Sequence, residues 1–336
     1  MKNLKENWII YFILTGVFIV LFSEVFESIN APMKSLPQPI TNNEWVSPSL
    51  YTDHTLKGEE RNLVIYGEEL IANTSTYLGP NGSVAHITNG MNCQNCHLNA
   101  GKKIWGNNYG AVASNYPKFR DRSGSIETVY KRVSDCMERS LNGSALDSNN
   151  REMKAMIAYI KWVGADVPKD STPKGTGISP LTYLDRAASP EKGLIVYTAK
   201  CQSCHGTNGE GVLAADQKSY TYPPLWGANS YNNGAGLFRL SRFAGYVRDN
   251  MPYNLSSHES PALTDEECWD VAAFVNSRPR PTKDLSSDWP NVSKKPIDHP
   301  FGPYTDGFNE TEHKFGPFKP IIEARKKKQD IKNKKI

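Results

Sequence analysis

The sequence predicts an all-α fold of two tandem domains, joined by a linker and followed by an extended C-terminal segment. Three observations predict it. The pattern C-x-x-C-H occurs twice, at Cys93-Gln94-Asn95-Cys96-His97 and at Cys201-Gln202-Ser203-Cys204-His205. Around each copy, apolar residues recur at helical spacing and in the same order. The length of 336 residues suits two domains plus extensions, each large enough to enclose a cofactor.

Two thiols three residues apart can reach both vinyl groups of one porphyrin, and the His that follows then sits under the iron. A zinc site needs four ligands, and neither motif has a second Cys/His pair at ligand spacing nearby. A redox dithiol would want a βαβ context, which neither flank shows. Cys93, Cys96, Cys201 and Cys204 are therefore expected to attach two c-type haems covalently, with His97 and His205 as proximal ligands. Such a chain reads as a dihaem c-type cytochrome. Of the six cysteines only Cys136 and Cys268 remain, which leaves little room for a disulfide framework.

Taken in order, residues 1–29 read as an N-terminal signal or membrane anchor. Lys2 and Lys5 precede an uncharged apolar run from Trp8 to Phe22, and no small-residue cleavage site follows. The body is thus expected to be exported to the periplasm, either secreted or anchored to the membrane through residues 8–22. Residues 30–57 are polar and Pro-bearing and read as a tether. The first domain is expected over 58–164. Its first helix carries Leu63, Gly67, Leu70, Ile71 and Thr74, with Gly79-Pro80 as the stop. Gly101 to Pro117 has no period and reads as a loop around the porphyrin edge. Ser125 is expected to cap a helix striped by Ile126, Val129, Tyr130, Val133 and Cys136 or Met137. Asn149 and Glu152 form a plausible capping pair for the closing helix, whose face is Met153, Met156, Ile157, Ile160 and Val163.

Residues 165–188 turn to Pro, Gly, Ser, Thr and Lys and mark a linker. The second domain is expected over 189–282. Ser189-Pro190 supplies an N-cap and a first-turn proline, and the helix runs into the second motif. Leu237, Leu240, Ala244 and Val247 stripe a helix that stops at Asn250-Met251-Pro252. Thr264 and Glu267 form a capping box for a helix with Cys268, Val271, Ala272 and Val275 on one face. Each unit repeats helix, motif, distal segment and closing helix, which gives two tandem cytochrome c-like domains. Residues 283–336 form the C-terminal extension.

Each haem also has a sixth position. In the second domain Met251 lies 46 residues after His205, and no later Met follows. A Met after a helix and before a Pro is soft, flexible and able to reach iron. In the first domain the comparable place holds Cys136, with Met137 beside it; spacing alone does not choose between them. Cys268 faces the core of its helix and reads as packing.

The net charge of +4 conceals a tail from Ala324 to Ile336 at +6 and a body at −2. Such a tail reads as solvated and disordered, and nothing in the sequence points to nucleic acid. Around Cys136 lie Arg120, Arg122, Arg132 and Arg139, with Lys118 and Lys131. Guanidinium forks on segments meeting near one haem edge suit an oxyanion such as a sulfonate, a sulfate or a carboxylate.

Several runs resemble the dihaem thiosulfate dehydrogenase and tetrathionate reductase family. They are Asn92 to Gly101, Tyr116 to Arg122, Cys136-Met137-Glu138-Arg139-Ser140-Leu141-Asn142-Gly143, Glu152 to Met156, and Asp270 to Phe274. Gly302-Pro303-Tyr304 and Gly316 to Ile321 extend the likeness past the second domain. The resemblance implies that Cys136 is the distal ligand of an active-site haem and that the second haem relays electrons to an external carrier such as a small c-type cytochrome. It also implies that Arg122 and Arg132 hold substrate, and that two thiosulfates are interconverted with tetrathionate and two electrons. Some relatives carry Lys directly before the distal Met, where this chain has Asn250, an amide that cannot replace that amine as a ligand. The alternative to this catalytic reading is a non-enzymatic dihaem electron-transfer cytochrome.

Overall fold

The computed structural model describes residues 44–333, so the apolar run 8–22 and the beginning of the tether lie outside the described residues. The first domain is built on two crossing helices, α1 (Gly58–Ala72) and α4 (Arg151–Val163). Gly67 marks the crossing, since a Cβ there would fall 2.1 Å from the Ala155 carbonyl oxygen and 2.6 Å from the Tyr159 Cβ. Between them come α2 (Thr74–Leu78), the first C-x-x-C-H and α3 (Val129–Arg139). Leu70, Ile71, Met137, Met153, Met156 and Tyr159 are sealed in the shared core.

The second domain repeats the plan. Helix α5 (Pro190–Lys200) leads into the second motif, α6 (Leu240–Asn250) follows, and α7 (Asp265–Ser277) closes on α5. Again a glycine sits at the crossing. A Cβ on Gly193 would meet the Asp270 carbonyl oxygen at 1.9 Å and the Phe274 Cβ at 2.7 Å. A glycine on one helix, facing a backbone carbonyl and an aromatic residue four positions later on its partner, is thus present in both domains. Cys268 is fully buried in the second core, which also holds Tyr197, Trp269 and Phe274, as a packing residue.

Starts and stops follow from capping chemistry. The Ser189 hydroxyl accepts from the Lys192 N–H, and Thr264 and Glu267 cap reciprocally. Two expected caps are not formed. Ser125 lies in a short strand, β2 (Ser125–Glu127), paired antiparallel with β1 (Lys118–Arg120), and α3 begins after Thr128, whose hydroxyl accepts from the Lys131 N–H. Ile126 is accordingly 72% exposed instead of joining the helical stripe. Asn149 does not pair with Glu152; Asn150 precedes α4, and the Glu152 carboxylate accepts from the Tyr66 hydroxyl at 2.9 Å. A second hairpin pairs β3 (Val212–Leu213) with β4 (Tyr220–Tyr222).

Three connecting segments are more ordered than their composition suggests. The described part of the tether packs on the first domain: Trp45 is 5% exposed within its core, and its N–H donates to the Lys174 carbonyl at 2.8 Å. In the linker, Thr176, Ser179 and Leu181 are buried, and the Gly175 carbonyl accepts from the Asn108 amide at 2.7 Å. The basic tail is helical as far as Asn333, as α8 (Phe318–Asn333). Phe318 and Ile321 are buried in the second core, each contributing roughly 2 kcal/mol toward the ordering cost of the first turn.

Candidate functional site

The first C-x-x-C-H is held by the α1–α2 junction. The Cys93 N–H donates to the Thr74 hydroxyl at 2.9 Å, and the Gln94 amide donates to the Ala72 carbonyl at 2.7 Å. His97 directs Nδ1 at the Asn107 carbonyl, 2.5 Å away. A carbonyl can only accept, so Nδ1 carries the proton and Nε2 is left free. Burial lowers the His97 pKa to about 4, which keeps that nitrogen unprotonated.

Two adjoining cavities, of about 120 and 310 Å³, meet here. The smaller is lined by Cys93, Cys96 and His97 with apolar Ile71, Tyr109, Val129 and Val133. Donor set, tautomer and apolar walls together fit a covalently attached haem. Helix α3 supplies the opposite wall, where Cys136 and Met137 both line the smaller cavity. Only Cys136 also lines the larger one, while Met137 is 1% exposed within the first core.

The larger cavity is strongly cationic. Arg120, Arg122, Arg132 and Arg139, scattered over twenty positions of sequence, all line it. The β1–β2 hairpin and α3 bring them together. Most have acidic partners. Arg139 makes a fork to Asp288 at 2.7 and 2.8 Å, Arg122 pairs with Asp135, and Arg120 lies 3.8 Å from Glu127. Arg132 has no hydrogen-bond acceptor among the described residues. The neighbouring Cys136 sulfur, when ionised, is the largest influence on it and raises its pKa despite burial. Burial, with Arg139 alongside, lowers that of Arg122.

Other cavity residues escaped sequence reasoning, among them two arginines, an aspartate and a tryptophan. Arg239 and Arg242 reach in from the second domain, and Asp288 and Trp289 from the C-terminal extension. Arg239 and Arg242 stand at the start of α6, a place that spacing assigned to helix packing. Asp288 has no local signal, because its partner Arg139 is 149 positions away.

The second motif follows α5 directly, and His205 also directs Nδ1 at a carbonyl, that of Pro223 at 2.9 Å. Burial lowers the His205 pKa. Met251 ends α6, its N–H bonded to the Val247 carbonyl at 2.8 Å, and it packs half-buried on the second core. The shared tautomer and the paired cysteines fit a second covalent haem. Asn250, just before Met251, is fully buried and donates to the Trp105 and Tyr246 carbonyls.

Comparison with known proteins places both halves. The SoxA/TsdA cytochrome c domain family matches residues 83–168, and the cytochrome c family matches residues 190–279. A thiosulfate dehydrogenase of Psychrobacter arcticus is 35% identical over 209 residues, covering 61% of this chain and 62% of that protein. One from Allochromatium vinosum is 39% identical over 199 residues, covering 58% and 72%. Among solved structures, the thiosulfate dehydrogenase TsdBA of Marichromatium purpuratum, in its "as isolated" form, matches with a TM-score of 0.64 at 30% identity. That match covers 71% of this chain and 50% of the other. The chain thus spans 62% of the length of the Psychrobacter relative and half that of the solved structure.

Proposed function

The chain belongs to the thiosulfate dehydrogenase family of c-type cytochromes, and from that premise we propose that it interconverts thiosulfate and tetrathionate. Cys136 carries the proposal. With Cys96 assigned to haem attachment, it is the thiol left on the wall common to the haem-attachment cavity and the arginine cavity, and the Arg132 side chain, close enough to feel its charge, has no hydrogen-bond acceptor among the described residues.

Cys93 and Cys96 would hold one haem, with His97 and Cys136 as the side chains offered to its iron; Cys201 and Cys204 would hold the other, with His205 and Met251. When bound, the haems supply the sink for two electrons. Thiosulfate docks on Arg132 and on the Arg122 N–H groups that Asp135 leaves free. The Cys136 thiolate bonds to the terminal sulfur of thiosulfate, giving the S-thiosulfonate Cys–S–S–SO₃⁻ and releasing two electrons. A second thiosulfate attacks the sulfane sulfur that is bonded to Cys136. The bond to Cys136 breaks, the thiolate is regenerated and tetrathionate leaves. At an effective dielectric near 20, the incoming dianion and the single sulfonate charge of the adduct, about 5 Å apart, repel by roughly 7 kcal/mol. The arginines that converge on this thiol supply the charge to offset that repulsion.

The second domain then passes electrons to an external carrier such as a small c-type cytochrome, and the site of action is the periplasm, where an exported chain receives covalent haem. A steady-state assay of the holoprotein in both directions, with an artificial acceptor and an artificial donor, tests the reaction. Thiosulfate-dependent haem reduction with tetrathionate as product supports it. A haem-loaded protein that thiosulfate leaves oxidised, and that does not turn over tetrathionate, overturns it in favour of plain electron carriage.

A further inference from the structure

Six arginines line the larger cavity, and they divide into those already engaged and those free. Arg139 is held by Asp288, Arg122 by Asp135, and Arg239 by Asp298 at 2.6 and 2.8 Å. Arg120 has Glu127 at 3.8 Å. Arg132 and Arg242 have no acceptor for their side chains among the described residues. They come from different domains: Arg132 from α3 beside Cys136, and Arg242 from the first turn of α6.

The position of Arg242 is fixed from outside the second domain's own core. Asp298 of the C-terminal extension is 1% exposed and accepts from both Arg239 and the Ser241 N–H, the latter at 3.1 Å. That clamp sets the start of α6, and Arg242, directly after Ser241 in the same first turn, is exposed and lines the cavity. Trp289, whose buried indole N–H has no acceptor among the described residues, lines the same cavity.

Tetrathionate carries a sulfonate at each end, separated by two further sulfurs. A site that forms or splits it around one thiol therefore handles two anionic ends at once. We infer that Arg242 is the recognition point for the second sulfonate, the one that leaves or arrives as free thiosulfate, while Arg132 holds the sulfonate that stays on the Cys136 adduct. The inference rests on the thiosulfate–tetrathionate reading of the site. The chemistry it governs is a balanced exchange. The Cys136 thiolate attacks the nearer central sulfur of tetrathionate, the central S–S bond breaks, and thiosulfate leaves with the electron pair while Cys–S–S–SO₃⁻ remains. No oxidant is needed.

The test compares wild-type holoenzyme with Arg242→Gln and Arg242→Lys, following modification of the Cys136 peptide by mass. Two reagents are used: tetrathionate, a dianion with two sulfonates, and methyl methanethiosulfonate, which is neutral. In Arg242→Gln the tetrathionate rate should fall by about tenfold or more, as expected for loss of one charge-assisted contact. The methyl methanethiosulfonate rate should stay within about twofold, and Arg242→Lys should recover much of the tetrathionate rate. In steady state the KM for tetrathionate should rise by a similar factor, with kcat changing less. Equal loss toward both reagents would show that Arg242 acts through the fold, and unchanged tetrathionate kinetics would dismiss the subsite; either overturns the inference. A wild-type protein that tetrathionate neither labels nor reacts with would instead overturn the proposed function itself.

Discussion

The side-chain amide of Asn250 donates to the backbone carbonyl of Trp105 at 3.1 Å, joining the end of α6 to a loop of the first domain. The same helix face bonds a second time, from the Tyr246 hydroxyl to the Asn95 carbonyl inside the first C-x-x-C-H, also at 3.1 Å. Trp105 lies two residues before Asn107, whose carbonyl orients His97. The helix that presents Met251 is therefore clamped to the backbone that presents His97, and Asn250 serves as a fully buried strut.

Asn250→Asp should weaken that clamp. An aspartate has no N–H for the Trp105 and Tyr246 carbonyls, and its charge would be buried among acceptors. The expected loss is about 3 kcal/mol near neutral pH. Such a carboxyl would have a folded pKa raised above its unfolded value of about 4. The protonated form is the tolerated one, so the deficit should be small below about pH 4 and grow as pH rises. Denaturant midpoints at both pH values check this, and an unchanged neutral midpoint would contradict it.

Asp288 ties the C-terminal extension to α3 through its fork with Arg139, and both side chains are about 90% buried. Asp288→Ala would leave the guanidinium without its partner and should cost about 3–5 kcal/mol. Replacing both together, as Arg139→Met with Asp288→Leu, should recover most of that loss. Chemical denaturation of the double variant and of Arg139→Met and Asp288→Leu alone measures the difference, and an additive double variant would show that the two residues act independently.

Met251→Ala should change the spectrum of the second haem and lower its potential, leaving the first haem as it was. A redox titration monitored by absorbance reads both. Identical titrations in variant and wild type would place the sixth ligand of the second haem elsewhere.

Much of this was legible in the sequence, for reasons that differ by residue. The motifs at Cys93 and Cys201 are local and chemically demanding, so spacing alone announced them. The closing helices showed through periodicity and, at Thr264, through a capping box that formed as expected. Ser125 misled because a Ser before an apolar run is also compatible with a short hairpin, and Lys118–Arg120 supplied the pairing strand. Trp45 lies in a segment whose composition is that of a tether, yet a single large side chain docks it. The cavity was half legible. Its first-domain arginines cluster in sequence, whereas Arg239, Arg242 and Asp288 reach it only through tertiary pairing.

Asp298 should shape the acid limit of stability. Burial opposes its charge, but the Arg239 guanidinium and the Ser241 donors hold its carboxyl below the usual range. A carboxyl depressed in the folded state contributes stability that is present above the unfolded pKa, near 4, and is lost as pH falls through the folded value. Between about pH 6 and pH 3 the wild type should therefore lose more stability than Asp298→Asn, which begins lower but titrates nothing at that position. Parallel pH–stability curves would remove Asp298 from the account.

Cys136 is where the roles of ligand and nucleophile can be separated. It lines both cavities, so one thiol is placed to face the haem-attachment residues and the arginines. A thiolate on iron favours the ferric state and holds the potential low. Cys136→Met keeps a soft sulfur on a longer side chain, at a position that opens onto two cavities able to take it. The variant should fold, keep a sixth ligand and show a first-haem potential well above that of the wild type. If Cys136 only tuned that potential, turnover would persist once an acceptor of matching potential was supplied. As the sulfur-accepting group it cannot be replaced by a thioether, which forms no S-thiosulfonate. Activity should then vanish in both directions whatever the acceptor. Wild-type protein treated with tetrathionate should carry a thiosulfate-sized adduct on the Cys136 peptide that thiol reductant removes, and the variant should carry none. Appreciable turnover in Cys136→Met would defeat the covalent mechanism while leaving the dihaem assignment intact, because the two rest on different residues.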